Sequence, residues 1–143
     1  MKSSFAYLIA PSLAWLVAQS IKIILRFAKK EKSDFSKYFS SGDMPSAHTA
    51  VVTSLATVIF VNEGISDLFS ISIWLAAITI YDALVARRSI GEQGSALLKL
   101  IEASPYAKDT LPRVALGHKP TEVIVGAILG VMIGLVVAFF ITI

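Results

Sequence analysis

The chain has no cysteine and few charged residues, and both absences narrow what it can be. Of its 143 residues, 16% are charged and 55% are apolar, whereas a soluble domain usually carries about 25% charge. Without cysteine there is no disulfide framework, no thiolate metal site and no cysteine nucleophile. The mean hydropathy of +0.72 excludes a disordered chain. The length predicts one domain over residues 1–143.

Long runs without charge predict an all-α integral membrane bundle of about four transmembrane helices. A spanning helix needs roughly 20 mostly apolar residues. No charged residue occurs over Ser3–Ile21, and only Glu122 occurs over Thr121–Ile143. The intervening sequence predicts two further spans, Ser46–Val61 and Leu68–Ala86, joined by a short polar turn. We interpret the first run as a retained span and not as a signal peptide, because the chain after it is too apolar for a secreted soluble protein.

A short amphipathic segment follows the third predicted span. In Gly91–Glu102, the apolar residues Leu97, Leu98 and Ile101 lie beside Lys99. This pattern predicts a short helix at the membrane interface. Several prolines come after it and predict irregular backbone before the last span.

The distribution of the basic residues along the chain predicts how the chain is oriented in the membrane. Twelve of the thirteen Lys and Arg residues lie either after the first span or between the third and fourth spans, and only Lys2 lies elsewhere. With four spans, both basic segments fall on one side of the membrane. The positive-inside rule therefore predicts cytoplasmic basic loops and both termini outside, in a bacterial-type plasma membrane. Nothing in this pattern indicates nucleic acid binding, because the basic residues lie at a membrane face.

Polar residues that are rare in membrane helices are concentrated on the basic side. They are Lys22, Ser46, His48, Asp82, Arg87, Arg88, His118 and Glu122. Ionisable groups are costly in a bilayer and indicate a functional site. For Arg26, snorkelling to the interface is an equal alternative. For Arg87 and Arg88, the alternative interpretation is that their charges simply end a membrane span.

Both histidines stand at predicted helix starts. Ser46, two residues before His48, suits an N-cap, and Pro120, two residues after His118, suits a first helical turn. Helix amino ends favour anions, so two such starts with nearby cations predict a phosphate-sized pocket. Glu122 lies four residues after His118 and would share its helix face. A carboxylate there would raise the basicity of the imidazole, as a nucleophilic histidine needs.

Three segments resemble the motifs of type 2 phosphatidic acid phosphatases. Gly42–Ala50 (GDMPSAHTA) resembles the Pro-Ser-Gly-His element, and Leu116–Gly126 (LGHKPTEVIVG) resembles the Gly-x-His-x-x-x-Asp-x-x-x-Gly element. Together with Tyr81–Gln93 and the Lys22 region, they are similar to the divergent branch of that superfamily. Its members are often named acid phosphatase/vanadium-dependent haloperoxidase related. The resemblance covers about Gln19 to Gly134.

The resemblance implies the role of each matching residue. His118 would be the nucleophile that takes the phosphoryl group, Glu122 would orient it, and His48 would protonate the leaving alcohol. Lys22 and Ser46 would hold phosphate oxygens. The resemblance implies a phosphatase that needs no metal and no cofactor.

The sequence leaves open which arginine belongs to the phosphate site. Arg113 lies five residues before His118, where the resemblance expects six. Arg87 or Arg88 is the alternative, with residues 89–116 as an insertion. Asp82 has no counterpart in the ordinary superfamily. It pairs with one of these two arginines or has a role of its own.

Three functions fit these observations, of which the third is a plain structural or helix-packing protein. The first is a membrane phosphatase acting on a lipid phosphate or pyrophosphate, such as a phosphatidate-like lipid or a polyprenyl phosphate, in contact with the lipid bilayer. The second is a non-catalytic lipid-phosphate binding or transport protein that retains the pocket. The second is favoured by one departure from the family pattern, because no Arg-Pro pair follows Lys22.

A stripe of glycines on the last predicted span has two interpretations. Gly126, Gly130 and Gly134 recur every fourth residue, which lets another helix approach closely. The stripe packs inside the bundle, or it is the face of a homodimer.

Overall fold

Five α-helices and one π-helical turn make up the described part of the chain. The structure is a computed structural model and describes residues 2–28, 44–103, 117 and 119–142. The helices are α1 (Lys2–Ala28), α2 (Ala47–Glu63), α3 (Asp67–Tyr81), α4 (Arg87–Glu102) and α5 (Pro120–Thr142), and the π turn is Asp82–Ala86. Within these residues there is no strand. The all-α prediction is confirmed.

Among the described residues, three helices are long and apolar enough to cross a membrane. They are Ser4–Ala28, Asp67–Glu102 and Pro120–Ile141. α2 has 17 residues and is about 25 Å long, shorter than the roughly 30 Å hydrocarbon core of a bilayer. The prediction of a membrane-spanning helical bundle is confirmed, and the second predicted span corresponds to α2.

One continuous helix replaces the third span and the separate interfacial helix that the sequence predicts. Asp67–Glu102 runs for 36 residues without a break, which is about 54 Å. The reason is the π turn, in which the N–H of Arg87 bonds to the carbonyl of Asp82 and the hydrogen-bond ladder continues. The prediction of an amphipathic helix over Gly91–Glu102 is confirmed, because α4 includes it. It continues from α3 through the π turn in one helix.

α2 and α5 run parallel and pack through the glycine stripe of α5. A Cβ added to any of the three glycines would meet a carbonyl oxygen of α2 or of its cap at less than van der Waals distance. The pairs are Gly126 with Ser46, Gly130 with Ala50, and Gly134 with Ser54. Both helices advance by four residues from one contact to the next, which is ridge packing at close range. The stripe is therefore covered by α2 of the same chain, as its internal-packing interpretation predicts, and a homodimer through the last helix stays a prediction.

α1 packs on both α2 and α5 with a stripe of alanines. Ala6, Ala10, Ala14 and Ala18 recur every fourth residue and are all 0% exposed. Such small side chains let helices approach closely. The next position of the same stripe is Lys22, so its side chain leaves α1 on the face that is packed against α2 and α5.

A hydrogen-bond cluster shows that α1 and α2 are antiparallel. Tyr7 Oη donates to Glu63 Oε1 at 2.7 Å, and Ser66 Oγ donates to Glu63 Oε2 at 3.1 Å. Ser66 also caps α3, because its Oγ accepts from the N–H of Phe69. One carboxylate thus joins the start of α1, the end of α2 and the turn to α3. We call this the far end of the bundle, and the opposite end, where α2 and α5 begin, the site end.

Candidate functional site

Two charged side chains are buried in the described part of the chain, and both belong to the site end. Lys22 is 7% exposed and Glu122 is 8% exposed. Charges are rarely buried to this extent unless they have partners. Both were predicted as site residues, and each carries a further interaction within the structure.

The register of α1 against α2 places Lys22 near the first turn of α2. Fifteen residues separate Tyr7 from Lys22, and fifteen separate Glu63 from His48. Tyr7 and Glu63 are hydrogen bonded at the far end, and antiparallel helices rise equally per residue. Lys22 therefore lies near the level of His48. The side chain of His48 is exposed and makes a further interaction.

Ser46 caps α2 and also ties it to α5. Its Oγ accepts from the N–H of Thr49 at 3.4 Å and from the hydroxyl of Thr49 at 3.0 Å. Its N–H donates to the carbonyl of Glu122 at 2.9 Å. Ser46 and Thr49 are both 0% exposed. The predicted N-cap is confirmed. Thr49 was missed, although a second hydroxyl three residues after a capping serine is visible in the sequence.

The start of α5 is organised by Glu122. Its Oε2 accepts from the backbone N–H of Lys119 at 3.2 Å, which is one half of a capping box. A carboxylate in the first turn also compensates the positive end of the helix dipole. His118 lies outside the described residues, so its pairing with Glu122 stays a prediction. The residues on each side of it, Gly117 and Lys119, are described.

The site end combines two helix amino ends and the cation Lys22 with the carboxylate of Glu122 at the start of α5. The parallel helices α2 and α5 present their amino ends side by side, joined by the bond from Ser46 to Glu122. Each amino end carries a partial positive charge and N–H groups without intrahelical partners. The ammonium group of Lys22 adds a full charge at this level. An anion is the ligand that this arrangement favours.

The two arginines of the π turn region have different partners. Arg87 Nε donates to Asp82 Oδ2 at 2.6 Å. Arg88 Nε donates at 3.0 Å to Oε1 of Glu92, which lies one turn further along α4. This second pair is more exposed than the first. Of the alternatives left open for Asp82, pairing with Arg87 is the one observed.

Gly117 brings the start of α5 against these arginines. A Cβ on Gly117 would lie 2.7 Å from the Cα of Arg88 and 2.8 Å from the carbonyl carbon of Arg87. Only glycine allows two backbones to approach this closely. Sequence reasoning did not single out Gly117, although a glycine directly before a candidate histidine was a usable signal.

The structure gives less detail for the last two predicted site residues, Arg26 and Arg113. Arg26 is half-buried in the last turn of α1 and makes a further interaction. Arg113 lies outside the described residues. Among the residues that the structure describes, no three His, Asp or Glu side chains are grouped so that they could hold a metal ion.

An apolar crevice of about 470 Å³ lies between α2, α3 and α5. It is lined by Thr53, Ala56, Thr57, Phe60, Val61, Phe69, Ile73, Ala76, Val131 and Leu135. Both threonine hydroxyls donate to carbonyls of their own helix, so the lining offers no free hydroxyl donor. The rings of Phe60 and Phe69 lie 5.0 Å apart between centroids at the end of the crevice nearest the far end.

Comparison with known proteins identifies the family. The sequence profile of the Divergent PAP2 family matches residues 4–133. The chain is 35% identical over 148 residues to "Uncharacterized membrane protein YuiD" of Bacillus subtilis (strain 168), covering 93% of this chain and 94% of that protein. No solved structure matches the chain. The resemblance seen in the motifs is confirmed, and the chain is a membrane protein that belongs to the divergent PAP2 family.

Proposed function

We propose that the protein is a membrane phosphatase that hydrolyses a lipid phosphate or pyrophosphate through a phosphohistidine. The observation that carries the proposal is the buried Lys22 beside the joined amino ends of α2 and α5. A buried ammonium group, two helix dipoles and the nearby Arg87 suit a phosphate group. Phosphoryl transfer spreads charge over the equatorial oxygens, and such donors stabilise that charge.

The proposed reaction has two steps. An imidazole nitrogen of His118 attacks phosphorus, the P–O bond to the lipid breaks, and His48 gives its proton to the leaving oxygen. Water then gives a proton to His48 and attacks the phosphohistidine, which releases inorganic phosphate and restores both histidines. Glu122 orients His118, while Lys22, Ser46 and Arg87 hold the phosphate oxygens. The chemistry needs neutral His118 and protonated His48, which places them in different environments.

The crevice between α2, α3 and α5 supports a substrate with a hydrocarbon chain. Its first lining residue on α2, Thr53, lies seven residues beyond Ser46, or about 10 Å along the helix. Phe60 lies about 21 Å from Ser46 on the same basis. A lipid with its phosphate at the site end can therefore extend a chain along this apolar wall.

The experiment that tests the function is phosphate release by purified protein in detergent micelles. The substrates are phosphatidate, lysophosphatidate, phosphatidylglycerophosphate and undecaprenyl pyrophosphate, all with EDTA present. Short-chain phosphatidate reports on the crevice, because it has the same phosphate group but a shorter chain. We expect release in EDTA from at least one long-chain lipid. Binding without release would favour the lipid-phosphate binding protein instead.

Binding is expected to depend on Lys22. Lys22→Met keeps the length of the side chain but removes its charge, and a hydrogen bond to a charged group is worth about 1.5–3 kcal/mol. Affinity for short-chain phosphatidate, measured by thermophoresis, is expected to fall about 10- to 100-fold. Lys22→Arg is expected to retain most of the affinity. Lys99→Met, which removes an exposed charge from α4, serves as the control. Equal affinities of Lys22→Met and Lys99→Met would contradict the proposal.

The site end is proposed to face the cytoplasm, and single cysteines test this. The natural chain has no cysteine, so after purification of the labelled protein any label on it reports the introduced cysteine. Ile65 in the far-end turn is 86% exposed, and Gln93 on α4 is exposed. In intact cells, a membrane-impermeant maleimide is expected to label Ile65→Cys and to label Gln93→Cys only after permeabilisation. The reverse pattern would overturn the orientation.

A further inference from the structure

The π turn changes the direction in which Arg87 leaves the helix. Asp82 and Arg87 are five residues apart, which is about 140° around a regular α-helix. At that angle their side chains would point to different faces. The π turn closes an i→i+5 bond between their backbones and removes part of this rotation. The result is the bond from Arg87 Nε to Asp82 Oδ2 at 2.6 Å.

This turn lies beside the start of α5. The π turn packs against α5, and Gly117 lies against the backbone of Arg87 and Arg88. Arg87 is less exposed than Arg88, whose guanidinium group bonds to Glu92 along α4. Of these two arginines, Arg87 is the one whose side chain is bonded to the turn that packs against α5.

We propose that Asp82 is a positioning residue that holds the guanidinium group of Arg87 ready for a phosphate group. The bond through Nε uses one of the five N–H donors of arginine, and the terminal Nη groups carry the other four. Those groups form the paired donors that bind phosphate bidentately. The inference rests on the proposed function, and it selects Arg87 over Arg88 as the phosphate-binding arginine.

Thermal unfolding at increasing concentrations of inorganic phosphate tests the proposal. The midpoint without phosphate reports fold stability, and its rise with phosphate reports affinity. We expect D82N to weaken phosphate affinity about tenfold while the midpoint without phosphate changes little. E92Q is the matched control, because it removes the partner of Arg88 in the same way and is expected to leave affinity unchanged. In an R87Q background, D82N is expected to have no further effect on affinity.

Several outcomes would overturn the proposal. One is a lower midpoint for D82N with unchanged phosphate affinity, which would make the pair purely structural. Another is an effect of D82N that persists in R87Q. Wild-type protein whose midpoint does not respond to phosphate would also overturn it. Phosphate release from lipids is measured in parallel. Affinity that depends on Asp82 in a protein without turnover would refute the proposed function alone, whereas normal turnover and affinity in D82N would refute the positioning role alone.

Discussion

Phosphate release from lipid micelles is expected to fall at least about a thousandfold when His118 is replaced by alanine. Removing the nucleophile leaves the cations and the helix amino ends in place, so the substrate still binds. Lipid-phosphate affinity of His118→Ala should therefore stay close to that of the wild type. Trapping of a phosphorylated protein after a rapid quench should succeed with the wild type and fail with this variant. Undiminished turnover in His118→Ala would refute the phosphohistidine mechanism.

His48 provides the matched comparison, because the mechanism gives the two histidines different roles. General acid catalysis contributes about 10²- to 10⁴-fold when the leaving group needs a proton. His48→Asn should lose this factor on a lipid alcohol and lose little on a nitrophenyl phosphate ester, whose leaving group needs no proton. His118→Ala should lose activity on both substrates. Identical losses for both variants on both substrates would contradict the separate roles.

Gly130→Leu is expected to prevent the protein from folding into its bundle. A Cβ at Gly130 would meet the carbonyl oxygen of Ala50 and the hydroxyl of Thr53, and the carbonyl belongs to backbone that cannot turn away. Overpacking by single methylenes costs about 1–3 kcal/mol. Gly130→Ala should therefore lower the free energy of unfolding by that amount, and leucine should exceed what the interface tolerates. Thermal unfolding in detergent measures both variants.

The control for this prediction is Val136→Ile, which adds one carbon to α5 on its exposed face. It should leave the unfolding midpoint unchanged. Gly130→Ala should also reduce lipid-phosphate affinity, because the contact of Ser46 with Glu122 belongs to the same interface. A Gly130→Leu protein that unfolds at the wild-type midpoint would show that the glycine stripe does not hold α2 and α5 together.

Local features of the sequence predicted much of the fold. Charge-free runs located the apolar helices, because a bilayer requires about 20 apolar residues whatever the neighbouring helices do. Ser46 and Pro120 marked helix starts, because capping depends on residues within one turn. The selection of Lys22 and Glu122 as site residues also came from the sequence, since charge within an apolar run is visible without a structure.

The sequence did not predict which residues or helices contact each other. The spacing of Asp82 from two arginines left the partner open, and a π turn, which has no sequence signature, decided for Arg87. The same turn joins α3 to α4 in one continuous helix. The glycine stripe predicted a close contact with another helix but not which helix makes it. The structure assigns this contact to α2.

The sequence by itself determined that this is a helical membrane protein of the divergent PAP2 type, with its candidate site residues gathered at one end. Those properties follow from local composition and from motifs a few residues long. The tertiary structure alone decided that a hydrogen bond joins the amino ends of α2 and α5, and that the alanine stripe of α1 directs Lys22 toward them. The physical reason is that the local sequence sets which face of a helix can be buried, whereas the packing of all helices together sets which helix covers that face.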